Sequence, residues 1–340
     1  MSSQSEKPPG DNLPIKQDNI EATSCQTMDG TTHLNNPGPS GSRRRSNPYC
    51  FPENVLCQDV TYNGVAVTQF TAAMDSIAQL KIIRSLLMRS DDVIIAAFPK
   101  CGTHWVSEML NMLLSGTTDY VTRPKEFEML ELIEDATALD QLDSPRVLNS
   151  HLYIAHLPEQ LVEKKVKLVH LIRHPKDCAV SLYHHWKQRA SEKFTFDNFI
   201  KGYITEGYTD RSHQLDYLRQ MAQFEDANPD HPIMHIHYED LKRDPVSMLE
   251  ALSQFVGIQT SRKFCEEVTS ACSFDKMKQA DKTRELPQHL NKVFSKGLKI
   301  YRKGVVGDWK NMFTVAQSEM FDQFLARQEE KGLPNNFRWQ

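Results

Sequence analysis

Residues 93–114 read VIIAAFPKCGTHWVSEMLNMLL. An apolar run, mostly small or β-branched, ends at Phe98; Pro99-Lys100-Cys101-Gly102 interrupts it; Trp105, Met109, Leu110 and Leu113 then recur at helical spacing. The order predicts a buried strand, a tight loop and a helix. A loop so placed aims consecutive backbone N–H groups from the positive end of a helix and suits a phosphate or sulfate, with Lys100 adding a full charge. An ordinary strand-to-helix turn with a surface lysine fits the same letters, so this stretch alone leaves both readings open.

The same order recurs downstream. Val166–Ile172, VKLVHLI, reads as a second buried strand, followed at once by Arg173-His174-Pro175-Lys176-Asp177 and a helix from Cys178 to Arg189 that carries Ser181. Arg146–His151 is short and extended, and Ile233–His237 is a third strand that runs into Tyr238-Glu239-Asp240. Strands alternating with helices predict an α/β fold, a central parallel sheet with helices on both faces and ligands at the strand C-terminal ends. Around this frame the pattern predicts a hairpin over Asp59–Phe70 centred on Asn63-Gly64 and an amphipathic helix over Ala72–Leu87. Further helices are expected over 196–206, 212–225, 246–256, 262–270 and 315–329. Thr117–Ser144 is polar and irregular, with one apolar helix expected around Phe127–Ile133, and is a candidate cover. Asn291–Trp309 is basic, glycine-rich and longer than an ordinary connection.

With 340 residues, 39% hydrophobic and 25% charged, the chain can bury a large core, expected as one domain over 48–340. Residues 1–47 are rich in Ser, Pro, Gly, Asn and Gln and are expected to be a disordered tail, in which Arg43-Arg44-Arg45-Ser46 reads as a solvated charge run, a targeting patch or a phosphorylation site. A net charge of −4 argues against a generic nucleic-acid binder, so any anion site must be local. No apolar run is long enough to span a membrane and the N-terminus lacks the apolar core of a signal peptide, which predicts a cytoplasmic protein without membrane contact. Seven cysteines, none in a C-x-x-C pair, suit free thiols in a reducing compartment.

Three segments together resemble the cytosolic sulfotransferases, which move a sulfuryl group from 3′-phosphoadenosine 5′-phosphosulfate (PAPS) to a small molecule and release the bisphosphate PAP. They are Phe98-Pro99-Lys100-Cys101-Gly102-Thr103-His104-Trp105, then Arg173-His174-Pro175-Lys176-Asp177 through Ser181, Tyr183 and His184, and Arg302-Lys303-Gly304-Val305-Val306-Gly307-Asp308-Trp309-Lys310-Asn311. The resemblance covers the chain from about Phe51 onward and implies a P-loop-like fold. It implies that the loop Lys100–Trp105 holds the 5′-phosphosulfate while Arg173, Ser181, Arg302, Lys303 and Gly304 hold the 3′-phosphate. Charge-assisted bonds of this kind contribute roughly 1.5–3 kcal/mol each when shielded from water. Trp105, Tyr238 and Phe274, the last within Cys272-Ser273-Phe274-Asp275-Lys276-Met277, resemble the adenine-binding positions. His151 stands where the family has its catalytic base, and a neutral imidazole is suited to take the acceptor's proton near neutral pH. The resemblance further implies that Lys100 stabilises the leaving phosphate oxygen and that Ser181 restrains that lysine.

Several letters depart from the family pattern. Asn149 replaces a lysine two residues before His151, removing one cation from the transferring group; Cys101, His104 and Cys272 replace hydroxyl residues; His185 falls where many relatives carry an aromatic beside the acceptor. Lys310, Thr314, Val315 and Glu319 match the family's short dimer motif, which implies a homodimer; the bland alternative is the capped first turn of the last helix. A P-loop kinase shares the strand-loop-helix plan, but Lys100 precedes Gly102 and no Gly-x-x-x-x-Gly-Lys-Ser/Thr is present. A PAPS-binding relative with little or no catalysis stays open because of Asn149. His235 and His237 share a strand face without a third ligand at suitable spacing, so a structural role and no metal are expected. The acceptor, a hydroxyl or amine of a small molecule, is not readable.

Overall fold

The computed structural model describes residues 61–62, 65–66, 76–133, 135–188, 190, 192–206, 213–282, 284 and 299–333. The expected tail over 1–47, the Asn63-Gly64 turn and residues 291–298 of the basic loop lie outside them.

Thr61–Tyr62 (β1) pairs antiparallel with Val65–Ala66 (β2), as the hairpin signal predicts. The central sheet is built from Val93–Ala97 (β3), Val147–Ser150 (β4), Lys167–Ile172 (β5) and Ile233–His237 (β6), all parallel, in the order β4-β3-β5-β6. Every residue of β3 and β4 is buried, so neither strand alternates; a strand covered on both faces needs apolar or internally bonded side chains at each position. The edge strand β6 is less buried. At the N-terminal ends of β3 and β4, Arg146 grips Asp92 with two bonds, Nε to Oδ1 at 2.7 Å and Nη2 to Oδ2 at 2.5 Å, both side chains at most 1% exposed. This pinned end leaves the opposite end for ligands.

The helices are Ser76–Arg84 (α1), Thr103–Ser115 (α2), Pro175–Lys187 (α3), Phe196–Glu206 (α4), Gln214–Ala227 (α5), Tyr238–Arg243 (α6), Pro245–Val256 (α7), Arg262–Ala271 (α8), Phe274–Asp281 (α9) and Val315–Glu329 (α10). α3 opens three residues earlier than its apolar pattern suggests, because Pro175 suits the first helical position and the His174 side chain accepts from the Lys176 N–H. The helix expected around Phe127–Ile133 is absent. Two 3₁₀ turns, Lys125–Glu128 and Leu130–Leu132, stand there, separated by an extended Met129 that forms a parallel bridge with Asn149. Lys125, Glu126 and Glu131 are all buried, and a continuous helix could not keep the inward bonds of all three. α6 and α9 were not foreseen: α9 offers few apolar letters and begins behind Ser273.

Candidate active site

The residues that follow the four parallel strands, Lys100, His151, Arg173 and Tyr238, line one cavity of about 480 Å³. Lys100 has φ 75° and Gly102 φ 105°, so the loop after β3 turns through the left-handed region twice. For a residue with a side chain such a conformation costs on the order of 1–3 kcal/mol. The strain is held by Arg173, whose Nη1 donates to the Lys100 carbonyl at 3.0 Å. A Cβ at Gly102 would stand 3.0 Å from the Tyr238 ring, and no side chain caps the first turn of α2, which leaves its early N–H groups for a ligand.

Arg173 is 7% exposed and lies over the Tyr238 ring, 4.4 Å from its centroid. Its Nη2 reaches the Val305 carbonyl at 3.4 Å, which ties the β5 end to the distant C-terminal segment. Its Nε, like the indole N–H of Trp105, is buried without a partner among the described residues. Trp105 packs edge-on against Tyr238 with centroids 5.8 Å apart, and Lys242 Nζ lies 5.0 Å from the indole. Across the cavity Arg302 and Lys303 both bond Asp308, at 2.5 and 2.6 Å. Those two cations with Asn311 hold the Asp308 carboxyl well below the usual range despite its burial. Gly304, at φ 64°, leaves no room for a Cβ, which would meet Phe274 Cδ2 at 2.5 Å. The backbone of this segment is fastened by Asp177, whose two carboxylate oxygens accept from the Gly307 N–H at 2.6 Å and the Trp309 N–H at 2.9 Å.

His151 Nδ1 lies 2.7 Å from the Ala97 carbonyl. A carbonyl only accepts, so Nδ1 carries the proton and Nε2 is left with a lone pair. Burial, then the charge of Lys125, holds the imidazole neutral, at about 3. The His151 backbone N–H and the Ser150 hydroxyl both donate to Glu131 Oε1, and burial raises that carboxyl to about 7. Lys100 is pushed down to about 8 by burial, then by Arg173 and Lys125. Among the described residues its Nζ meets His185 Nδ1, at 3.5 Å, and makes no bond to Ser181, the partner that the resemblance implied. His104 donates from Nε2 to Glu126 at 2.9 Å, and burial holds its imidazole neutral, at about 4.

Of the residues singled out in the sequence, the cavity lining also takes Thr103, His104, Trp105, Ser181 and His185. It takes Cys272, Ser273, Phe274 and Met277, and beside Phe274 the segment of Arg302, Lys303 and Gly304. Cys101 and Asn149, expected at the cofactor and acceptor, do not line it. Cys101 is 2% exposed and turns under the loop toward Cys178, since a strand-end side chain opposite the ligand falls into the core. Asn149 is 1% exposed and bonds Lys125 at both ends of its amide. His235, for which a structural role is expected above, lies 3.0 Å from His170 and 2.5 Å from Glu225. Lys310, Thr314, Val315 and Glu319 are exposed, away from the cavity, and Thr314 caps α10 through a reciprocal pair with Gln317. The sequence reading passed over Lys125, Glu126 and Tyr301, which line the cavity, and Glu131 behind His151. Their one signal was three acidic and basic letters in a segment expected to bury its apolar face.

Residues 90–332 match the model of the sulfotransferase domain. The chain is 29% identical over 264 residues to sulfotransferase 1A1 of Bos taurus, covering 74% of this chain and 87% of that one. It is 31% identical over 273 residues to human sulfotransferase 2A1, covering 76% and 92%. Among solved structures, mouse sulfotransferase SULT7A1 complexed with PAP aligns with a TM-score of 0.61 and 25% identity, covering 75% of this chain and 90% of that one. Retinol dehydratase in complex with androsterone and PAP shares the fold, with a TM-score of 0.62 and 17% identity over 77% and 86% of the two chains. The matched span runs from the strand before the anion loop to the end of α10 and takes in every residue that lines the cavity; the chain belongs to the sulfotransferase family.

Proposed function

We propose that the chain transfers the sulfuryl group of PAPS to a hydroxyl or amine of a small-molecule acceptor, with His151 as general base and Lys100 as the leaving-group cation. The observation that carries this reading is the His151 tautomer: Nδ1 is committed to the Ala97 carbonyl, so Nε2 is the proton acceptor in a cavity shared with Lys100 and Arg173. The lining fits such a donor. Among the described residues Arg173 Nε and the Trp105 indole N–H are buried without partners, and Gly304 gives a close backbone approach beside Phe274.

PAPS supplies a sulfur bonded to a phosphate oxygen that can leave. The Lys100–Trp105 loop binds and orients the 5′ end, and Arg173, Ser181, Arg302, Lys303 and Gly304 bind the 3′-phosphate; Arg302 and Lys303 reach it while Asp308 keeps them aligned. His151 Nε2 takes the acceptor's proton as the acceptor oxygen bonds to sulfur. The breaking sulfur–oxygen bond leaves its electron pair on the phosphate oxygen, to which Lys100 Nζ donates. General-base help of this kind is worth roughly 10²- to 10⁴-fold.

The test is transfer from radiolabelled PAPS to one phenol, one steroid, one simple alcohol and one amine, with His151→Ala alongside. Loss of transfer in the variant with PAP affinity retained supports the assignment; equal turnover removes His151 from the mechanism. Stabilisation by Mg-ATP but not PAP would turn the reading toward a kinase. Binding of PAP without transfer to any acceptor would favour a nucleotide-binding relative, the reading that Asn149 keeps alive. The exposed Val315 beside Thr314 and Glu319 supports a homodimer through this segment.

A further inference from the structure

Among the described residues, Lys125 is a buried lysine with no carboxylate to neutralise it directly, and burial holds it below the ordinary lysine range. It is 4% exposed and lines the cavity, and its Nζ donates to Asn149 Oδ1 at 2.9 Å while Asn149 Nδ2 donates back to the Lys125 carbonyl at 2.9 Å. This closed pair fixes the lysine against β4, two residues before His151. An ammonium has three donors, and one is used. Among the described residues no carboxylate lies within ion-pair distance of it, although Glu126, Glu131 and Glu128 act on it from farther off. Burying an unpaired charge is costly unless a ligand of opposite sign completes it. The charge of Lys125 is felt at both His151 and Lys100, the two groups flanking the reaction.

We propose that Lys125 binds the oxygens of the sulfuryl group during transfer, as the cation that Asn149 cannot supply, and that Asn149 serves as the positioning residue that aims it. The proposal rests on the sulfuryl-transfer reading above. It divides the charge between two lysines: Lys100 on the departing phosphate oxygen and Lys125 on the oxygens that stay with sulfur. The segment of 3₁₀ turns then has a function, since Pro124 and the extended Met129 turn Lys125 inward where a regular helix would not.

The experiment compares wild type, Lys125→Met, Lys125→Arg, Lys125→Asn and the charge swap that joins Lys125→Asn to Asn149→Lys. It reads kcat for transfer and the calorimetric affinities for PAP and for PAPS, which differ by the sulfuryl group alone. Lys125→Met is expected to lower kcat by about 10²-fold or more, the loss seen when one preorganised donor is removed. It should leave PAP affinity within about threefold and weaken PAPS relative to PAP by about tenfold, a split that a merely structural lysine would not produce. The swap should recover at least about tenfold of the lost kcat over Lys125→Asn alone, because the cation returns to the same place from the other strand segment. Wild-type kcat in Lys125→Met, or equal weakening of PAP and PAPS, overturns the role of Lys125. Should Lys125→Met fail to fold, the swap decides: recovered transfer upholds the proposal and unrecovered transfer overturns it. Wild type that binds neither nucleotide would overturn the sulfotransferase reading itself, which is a separate outcome from an active enzyme indifferent to Lys125.

Discussion

Raising the pH from 7 to 9 should switch this enzyme off through Lys100 and not through its histidine. Burial, Arg173 and Lys125 push Lys100 down to about 8, so the lysine loses its proton far below the ordinary lysine range. In the proposed reaction only the protonated form can donate to the leaving oxygen. With the midpoint at about 8, roughly nine-tenths of the lysine is charged at pH 7 and about one-tenth at pH 9, a fall of roughly tenfold. Lysine at its ordinary value would lose only a few per cent over the same range. On the acid side His151 is held at about 3, so Nε2 stays available and kcat/KM should show no limb near 6.5 from this residue. An ordinary imidazole would cost about tenfold at pH 5.5. The assay is initial-rate kcat/KM for PAPS between pH 5 and 9.5, which reports the free enzyme; the kcat limb should sit higher, because bound anion favours the charged lysine. Two variants assign the limbs. Lys100→Arg stays charged at every pH used and should abolish the alkaline limb at a lower rate. Glu131→Gln should remove any limb near 7, where burial holds that carboxyl. A flat profile to pH 9.5, or an acid limb at 6.5 that survives Glu131→Gln, refutes the reasoning.

Other substitutions follow from single contacts. Gly304→Ala places a Cβ 2.5 Å from Phe274 at φ 64° and should weaken PAP roughly tenfold by calorimetry, whereas Gly116→Ala, at φ 68° in open space, should cost stability of about 1 kcal/mol and leave PAP affinity alone. Asp177→Asn keeps one acceptor for the Gly307 and Trp309 amides and loses the other, so thermal unfolding should reveal a loss of about 1–3 kcal/mol, with PAP affinity reduced as the Arg302 segment loosens. Arg146→Met strands Asp92 as an unpaired buried charge and should destabilise by roughly 3–5 kcal/mol in urea unfolding, far from the cavity. Val315→Glu should convert the proposed dimer to monomer by light scattering, with kcat per chain unchanged, since Val315 is 75% exposed and outside the cavity.

What the sequence made legible follows from how local each cause is. β3 could be read because a strand covered on both faces needs an unbroken apolar run, and Val93–Ala97 supplies one. The loop after it could be read because Gly102 answers to its own backbone: φ 105° is a conformation that residues with side chains rarely adopt. The basic clusters at Arg173 and Arg302 were legible as charges, but not as neighbours; their meeting depends on Arg173 reaching the Val305 carbonyl across 132 positions of chain. The segment over 125–133 was misread because the forces that shape it come from elsewhere. Glu126 answers to His104, Lys125 to Asn149, and Glu131 to Ser150 and the His151 amide, so three polar letters that look like an exposed helix face are the buried ones.

The departure at Asn149 shows how a local reading goes wrong at a site. Read alone, an asparagine in place of a lysine removes a cation, and catalysis should suffer. In the fold that asparagine is buried and its amide spans Lys125 from another segment, so a lysine stands near His151 all the same, which is what the proposal above uses. Cys101 differs in kind: its thiol lies under the loop beside Cys178, and the proposed grip on an anion uses backbone N–H groups, which do not depend on this side chain. The two departures therefore carry different expectations. Cys101→Ser should leave PAP affinity nearly unchanged, because the side chain does not line the cavity. Asn149→Ala should lower kcat nearly as far as Lys125→Met while leaving the charge in place, since an ammonium released from its amide partner is no longer aimed. Full activity in Asn149→Ala would mean that Lys125 needs no positioning, and the buried pair would be a packing feature alone.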